Sequence, residues 1–163
     1  MTRSREGTWL FALSLGVGLL LSLVALPEDW RPLRPFWLGL LVIYWILEAP
    51  ERIGLGGAFL LGLVQDALLG TLAGETAFRL VAIAFILLRF RPRIRFFPMW
   101  QQALAVVAIL LNDRVLLFML RSFTGEFAID WRYFLAPLVA GLLWPWLFLL
   151  LDDLRRRSRP REA

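Results

Sequence analysis

Apolar residues along this chain gather in six runs, and charged residues gather in the short gaps between them. The runs cover residues 9–26, 36–50, 53–72, 76–90, 100–120 and 133–151. Crossing a bilayer takes roughly 20 apolar residues, with a range of about 17–25. The first, third, fifth and sixth runs meet that length, while the second and fourth are short and need independent support. The pattern predicts an all-α membrane protein. Residues 1–163 form one integral membrane domain, a six-transmembrane-helix bundle, with 152–163 as a basic cytoplasmic tail.

Arginine placement supplies the support for the short runs. All 18 basic residues are arginine, and cytoplasmic loops carry the excess of positive charge. With six spans and both termini inside, the inner segments hold Arg3, Arg5, Arg52, Arg89, Arg91, Arg93, Arg95, Arg155, Arg156, Arg157, Arg159 and Arg161. The outer loops hold only Arg31, Arg34, Arg121 and Arg132, and Arg79 and Arg114 fall within runs. If the second run did not cross, the Arg89–Arg95 cluster and the tail would lie opposite Arg3 and Arg5. Trp9, Trp30, Trp37, Trp100 and Trp131 sit near run ends, as an interfacial aromatic belt requires. Val24-Ala25-Leu26-Pro27 is a poor Ala-x-Ala cleavage site, so the first run is expected to be retained. The expected location is a bacterial inner membrane, crossed several times.

Composition agrees. Sixty per cent of the residues are hydrophobic and mean hydropathy is +0.69, more apolar surface than a small soluble domain can hide. A pI near 11.1 invites a nucleic-acid reading, but that needs a basic face on a soluble fold; no nucleic-acid partner is expected. The chain has no cysteine, histidine or lysine. That removes disulfides, thiolate or imidazole metal sites, and the usual nucleophile–base pairs. An Asp66–Asp113 dyad would have Arg114 beside it. No enzymatic activity, metal or cofactor is expected.

Asp66 is the most informative residue, because a carboxylate within a span costs about 2.5–3.5 kcal/mol. At ~1.5 Å per residue it lies about 20 Å from the inner end of its run, and Asp113 lies as far along the fifth. Arg79 and Arg114 share that outer half. The structural reading is an intramembrane charge network of Asp66, Arg79, Asp113 and Arg114 that locks three helices, with Asp66 paired to Arg79 or Arg114. The functional reading is a polar pocket or docking site, and the structural one is favoured. Gly62, Gly70 and Gly74, among the crowd that begins at Gly54, are expected to let helices approach closely. Trp144-Pro145-Trp146 predicts a bent helix packed on its neighbours, with a docking face as the alternative. Arg89, Arg91, Arg93 and Arg95 alternate with apolar residues and read as an inner-surface basic loop. It could lie on anionic headgroups at roughly 1 kcal/mol each, or meet an acidic protein.

The order of several short elements resembles the rod-shape-determining MreD family of Gram-negative bacteria. They are Arg34-Pro35-Phe36-Trp37, Ile43-Tyr44-Trp45-Ile46-Leu47, Pro50-Glu51-Arg52-Ile53-Gly54 and Phe59-Leu60-Leu61-Gly62-Leu63, followed by Asp66, Gly70 and Gly74. Trp100-Gln101-Gln102-Ala103-Leu104 and Leu143-Trp144-Pro145-Trp146 continue the likeness. The resemblance implies a non-catalytic subunit of the cell-elongation machinery. It also implies association with the bitopic protein MreC, and through it with the MreB filament, the RodA polymerase and its transpeptidase partner. A fold similar to the substrate-binding subunits of energy-coupling-factor transporters is implied as well. That likeness and the intramembrane charges motivate the alternative, a small-molecule-binding or transport subunit. A polar cavity with Asp66 unpaired would favour it, and a packed, paired cluster would count against it.

Overall fold

The computed structural model describes residues 3–125 and 130–158, so of the tail 152–163 only 159–163, with Arg159 and Arg161, lie outside the described residues. Among the described residues every regular element is helical. The helices are α1 (Arg3–Leu23), α2 (Trp37–Glu48), α3 (Leu55–Leu69), α4 (Glu75–Ile94), α5 (Met99–Thr124) and α6 (Ala136–Arg157). Short 3-10 segments, Glu28–Leu33 and Trp131–Phe134, precede α2 and α6 and touch each other. Met99–Thr124 and Trp131–Arg157 are long and apolar enough to cross a membrane.

The short second run has a physical explanation. Every residue of α2 from Leu38 to Leu47 is buried, and a helix apolar on all sides is stable only when surrounded. Helices α1, α4, α5 and α6 surround it. Its 12 residues extend ~18 Å at 1.5 Å each, well short of a hydrocarbon core of about 30 Å. The second run is therefore the core of the bundle. Trp45 anchors it to α1 through a 2.9 Å bond from its indole N–H to the Ser14 hydroxyl. Phe11 and Tyr44 meet the same indole edge-on.

The fourth run corrects the expectation of a basic loop. Helix α4 continues to Ile94 with Pro92 inside it, so Arg89, Arg91 and Arg93 are helical and Arg95 is the C-cap. The Arg91 guanidinium donates to the carbonyls of Ile46 and Leu47, at 3.0 Å each. Arg155 of α6 donates to the Glu48 carboxylate at 2.5 Å and to Asp152 at 3.0 Å. Both cations meet the C-terminal end of α2, where unpaired carbonyls and the helix dipole favour positive charge. Arg52, over the Trp45 ring at 5.7 Å, donates to the Gly7 carbonyl nearby.

Helix α6 packs on α5 through Gly141, where a Cβ would run into the Val107 side chain. Trp144 is fully buried, and its indole N–H donates to Gln102 Oε1 at 3.1 Å. Gln102 Nε2 in turn reaches the Ile94 carbonyl at 3.4 Å, so one buried amide ties α4, α5 and α6 together. Pro145 lies inside α6. Trp146 departs from its expected packing role: it points outward with 78% of its surface exposed.

Candidate functional site

The polar groups of α3, α4 and α5 collect at the end of the bundle away from the α2 C-terminus, and they are not one network. Asp66 meets neither Arg79 nor Arg114. Its carboxylate accepts from the Thr71 hydroxyl at 2.9 Å, the Gly74 N–H at 2.9 Å and the Thr76 N–H at 3.0 Å. The Ala77 N–H lies farther, at 3.5 Å. The three N–H groups are donors that the start of α4 leaves without helical partners. Gly74 stands at the N-cap with no side chain to satisfy them, so α3 supplies the capping carboxylate across the turn. The Asp66 carbonyl also receives the Thr71 N–H, at 3.1 Å.

This geometry revises the glycines. Gly70 and Gly74 have φ of +64° and +98°, conformations that side-chain residues rarely adopt, and a Cβ on either would meet open space. They shape the turn and are not points of close helix–helix approach. Gly62 does: a Cβ there would fall on the backbone of Thr76 and Ala77. Asp66→Ala leaves buried N–H groups without an acceptor, and a loss of about 1–3 kcal/mol is expected. Thermal melting of the protein in detergent checks it, and an unchanged midpoint would remove Asp66 from the turn's stability.

Arg79 and Asp113 form the ion pair, a bidentate one with Nε–Oδ1 at 2.7 Å and Nη2–Oδ2 at 2.6 Å. Their side chains are 9% and 1% exposed. The Arg79 guanidinium also lies 4.5 Å from the centre of the Phe36 ring, within cation–π range. Arg114 takes no part. Among the described residues it reaches only the Arg34 carbonyl, at 3.4 Å.

Beside this pair opens a cavity of about 180 Å³, reached by the ends of α1, α3 and α5, the starts of α2 and α4, and both 3-10 segments. Arg31, Arg34, Arg79, Arg114 and Arg121 line it, against a single carboxylate, Glu75. Arg34 closes the end of α1 by donating to the Leu21 carbonyl at 2.8 Å and to that of Ser22. Burial lowers its pKa from the ordinary arginine value. Glu75 meets Arg121 at a loose 3.4 Å. Gln65, 5% exposed, also lines the cavity, and its Oε1 is buried without a partner. A polar pocket was the less favoured reading of these charges, and Gln65 was not singled out from sequence. A glutamine beside Asp66 in an apolar run was the one signal available. Among the described residues no cluster of carboxylates could hold a metal ion.

A helical bundle with an apolar exterior, a capped polar turn and a cationic hollow fits a helical membrane protein. The model of the family described as rod shape-determining protein MreD matches residues 3–154. The Rod shape-determining protein MreD of Haemophilus influenzae is 34% identical over 152 residues, covering 93% of this chain and 94% of that protein. No solved structure matches. The chain belongs to the rod shape-determining MreD family.

Proposed function

We propose that this chain is a non-catalytic, six-span membrane subunit of the cell-elongation complex, with both termini cytoplasmic. It binds an MreC-type protein and so helps couple the MreB filament to side-wall peptidoglycan synthesis by RodA and its transpeptidase. The family match along residues 3–154 carries the reading. Helix order supports the layout: Arg52, Arg91 and Arg155 gather at the end of the bundle that holds Gly7. Leu13, Leu60, Leu104 and Leu142 face outward from α1, α3, α5 and α6, an exterior suited to lipid or to another membrane helix.

The basic positions divide by task. Arg91 serves the end of α2, while Arg89, Arg93 and Arg95 are exposed and are free to meet headgroups or an acidic cytoplasmic partner. Trp146 offers an outward indole for a helix partner. Asp66, Gly62, Gly70 and Gly74 serve the α3–α4 unit.

Affinity purification of the tagged protein from native membranes, with partners read by mass spectrometry, tests the proposal. Near-stoichiometric recovery of an MreC-type protein is the expected result. Recovery with an ATPase-containing transport complex would overturn it in favour of a transport subunit, the reading that the cavity keeps in view.

A further inference from the structure

The cavity at the end of the bundle carries more positive charge than the fold uses. Arg79 is saturated by Asp113 and Phe36, and Arg34 is spent on the end of α1. Arg31 and Arg114 have no carboxylate partner among the described residues, and Arg121 has only Glu75 at 3.4 Å, its Nε buried and unpaired. Converging guanidiniums repel one another and are expensive to desolvate, so without a counter-charge their grouping destabilises the fold.

Gln65 is the second, independent mark of a site. A buried amide oxygen without a partner forfeits about 1–3 kcal/mol, and Gln65 is one of the residues that line the hollow. Amide O and N occupy equivalent positions, so the group can donate to an anion's oxygen or accept from its hydroxyl. The volume, about 180 Å³, exceeds the ~150 Å³ that admits benzene elsewhere, and so has room for a phosphate group. Arginine forks match phosphoryl oxygens in pairs, as a point-charge ammonium does not.

We infer that this cavity binds a phosphate-bearing anion, with Arg31, Arg114 and Arg121 on its phosphoryl oxygens and the Gln65 carboxamide as the neutral partner. The anion is the headgroup of a lipid or a soluble phosphate; the recognising chemistry is the same. The site is independent of the scaffold role and stands whether or not an MreC-type partner is recovered.

The test uses the full-length protein in detergent micelles, washed free of lipid, with tryptophan fluorescence followed as sodium pyrophosphate is added. Trp30 and Trp131 stand on the 3-10 segments that border the hollow. In parallel, protein released from nanodiscs of phosphatidylglycerol or phosphatidylcholine is analysed by native mass spectrometry for retained lipid. Arg114→Gln and Arg31→Gln are compared with the parent. Arg31→Gln is expected to stay folded, because the Arg31 side chain makes no hydrogen bond or ion pair among the described residues.

Saturable pyrophosphate binding, weakened roughly tenfold or more in each variant that stays folded, assigns the site to a soluble phosphate. Retained phosphatidylglycerol that is lost in those variants, with pyrophosphate inert, assigns it to a lipid headgroup. No binding of either probe, or equal binding by the parent and folded Arg31→Gln, overturns the inference.

Discussion

Asp113→Ala is expected to be among the most damaging single changes in the molecule, at about 3–5 kcal/mol. The substitution leaves the Arg79 guanidinium buried with a Phe36 ring beside it and without its bonded carboxylate. Two hydrogen bonds of 2.6–2.7 Å disappear together, and the cation cannot move to solvent because its side chain is 9% exposed. The pair itself adds much less, since its attraction mostly repays the desolvation of two ions. Replacing both partners with apolar residues, Arg79→Met with Asp113→Leu, should therefore recover most of the loss. Melting in detergent and abundance in membranes give the comparison. A double variant as weak as Asp113→Ala would sink this account and make the pair an intrinsic source of stability.

Gly62→Ala should reverse the usual sign of its substitution. In an open helix the change stabilises by up to about 1 kcal/mol. At residue 62 the new Cβ lands on backbone atoms of Thr76 and Ala77, which cannot swing aside as a side chain can. Helices α3 and α4 must separate, and a loss of about 1–3 kcal/mol is expected, as for overpacked cores. Gly57→Ala is the control: it lies on the same helix, and its Cβ meets open space. It should be neutral or mildly stabilising. Equal melting points for the two variants would show that α3 and α4 do not pack through Gly62.

These two effects sit at different depths of legibility. Gly62 was singled out by small-residue spacing, and a Cβ there would meet the backbone of Thr76 and Ala77. Gly70 and Gly74 carried the same signal but serve a turn, because glycine marks both close packing and left-handed backbone. Asp66 and Asp113 were visible as carboxylates in apolar runs, and their shared depth placed them at one end of the bundle. Which of them met the arginine was not readable, because the partner depends on helix rotation. The capping role of Asp66 was not read from sequence either; it follows from a turn with no capping side chain of its own at Gly74. The basic stretch around Arg91 looked like a loop because its arginines alternate with apolar residues; the structure continues α4 through it, Pro92 included, packed against α2. The cavity had no local signature, since its lining comes from nearly every element of the fold.

The short, enclosed α2 bears on how the protein is made. In a bilayer, a segment of ~18 Å cannot settle on its own across about 30 Å of hydrocarbon. Its ends would carry Arg34 and Glu48 into the acyl region, and unpaired backbone groups with them. Nor does it present a lipid face, since each side chain from Leu38 to Leu47 is covered by protein. Such a segment reaches its place only in company, with its neighbours closing around it as they enter. The stability of α2 as a helix therefore rests on the four helices that surround it.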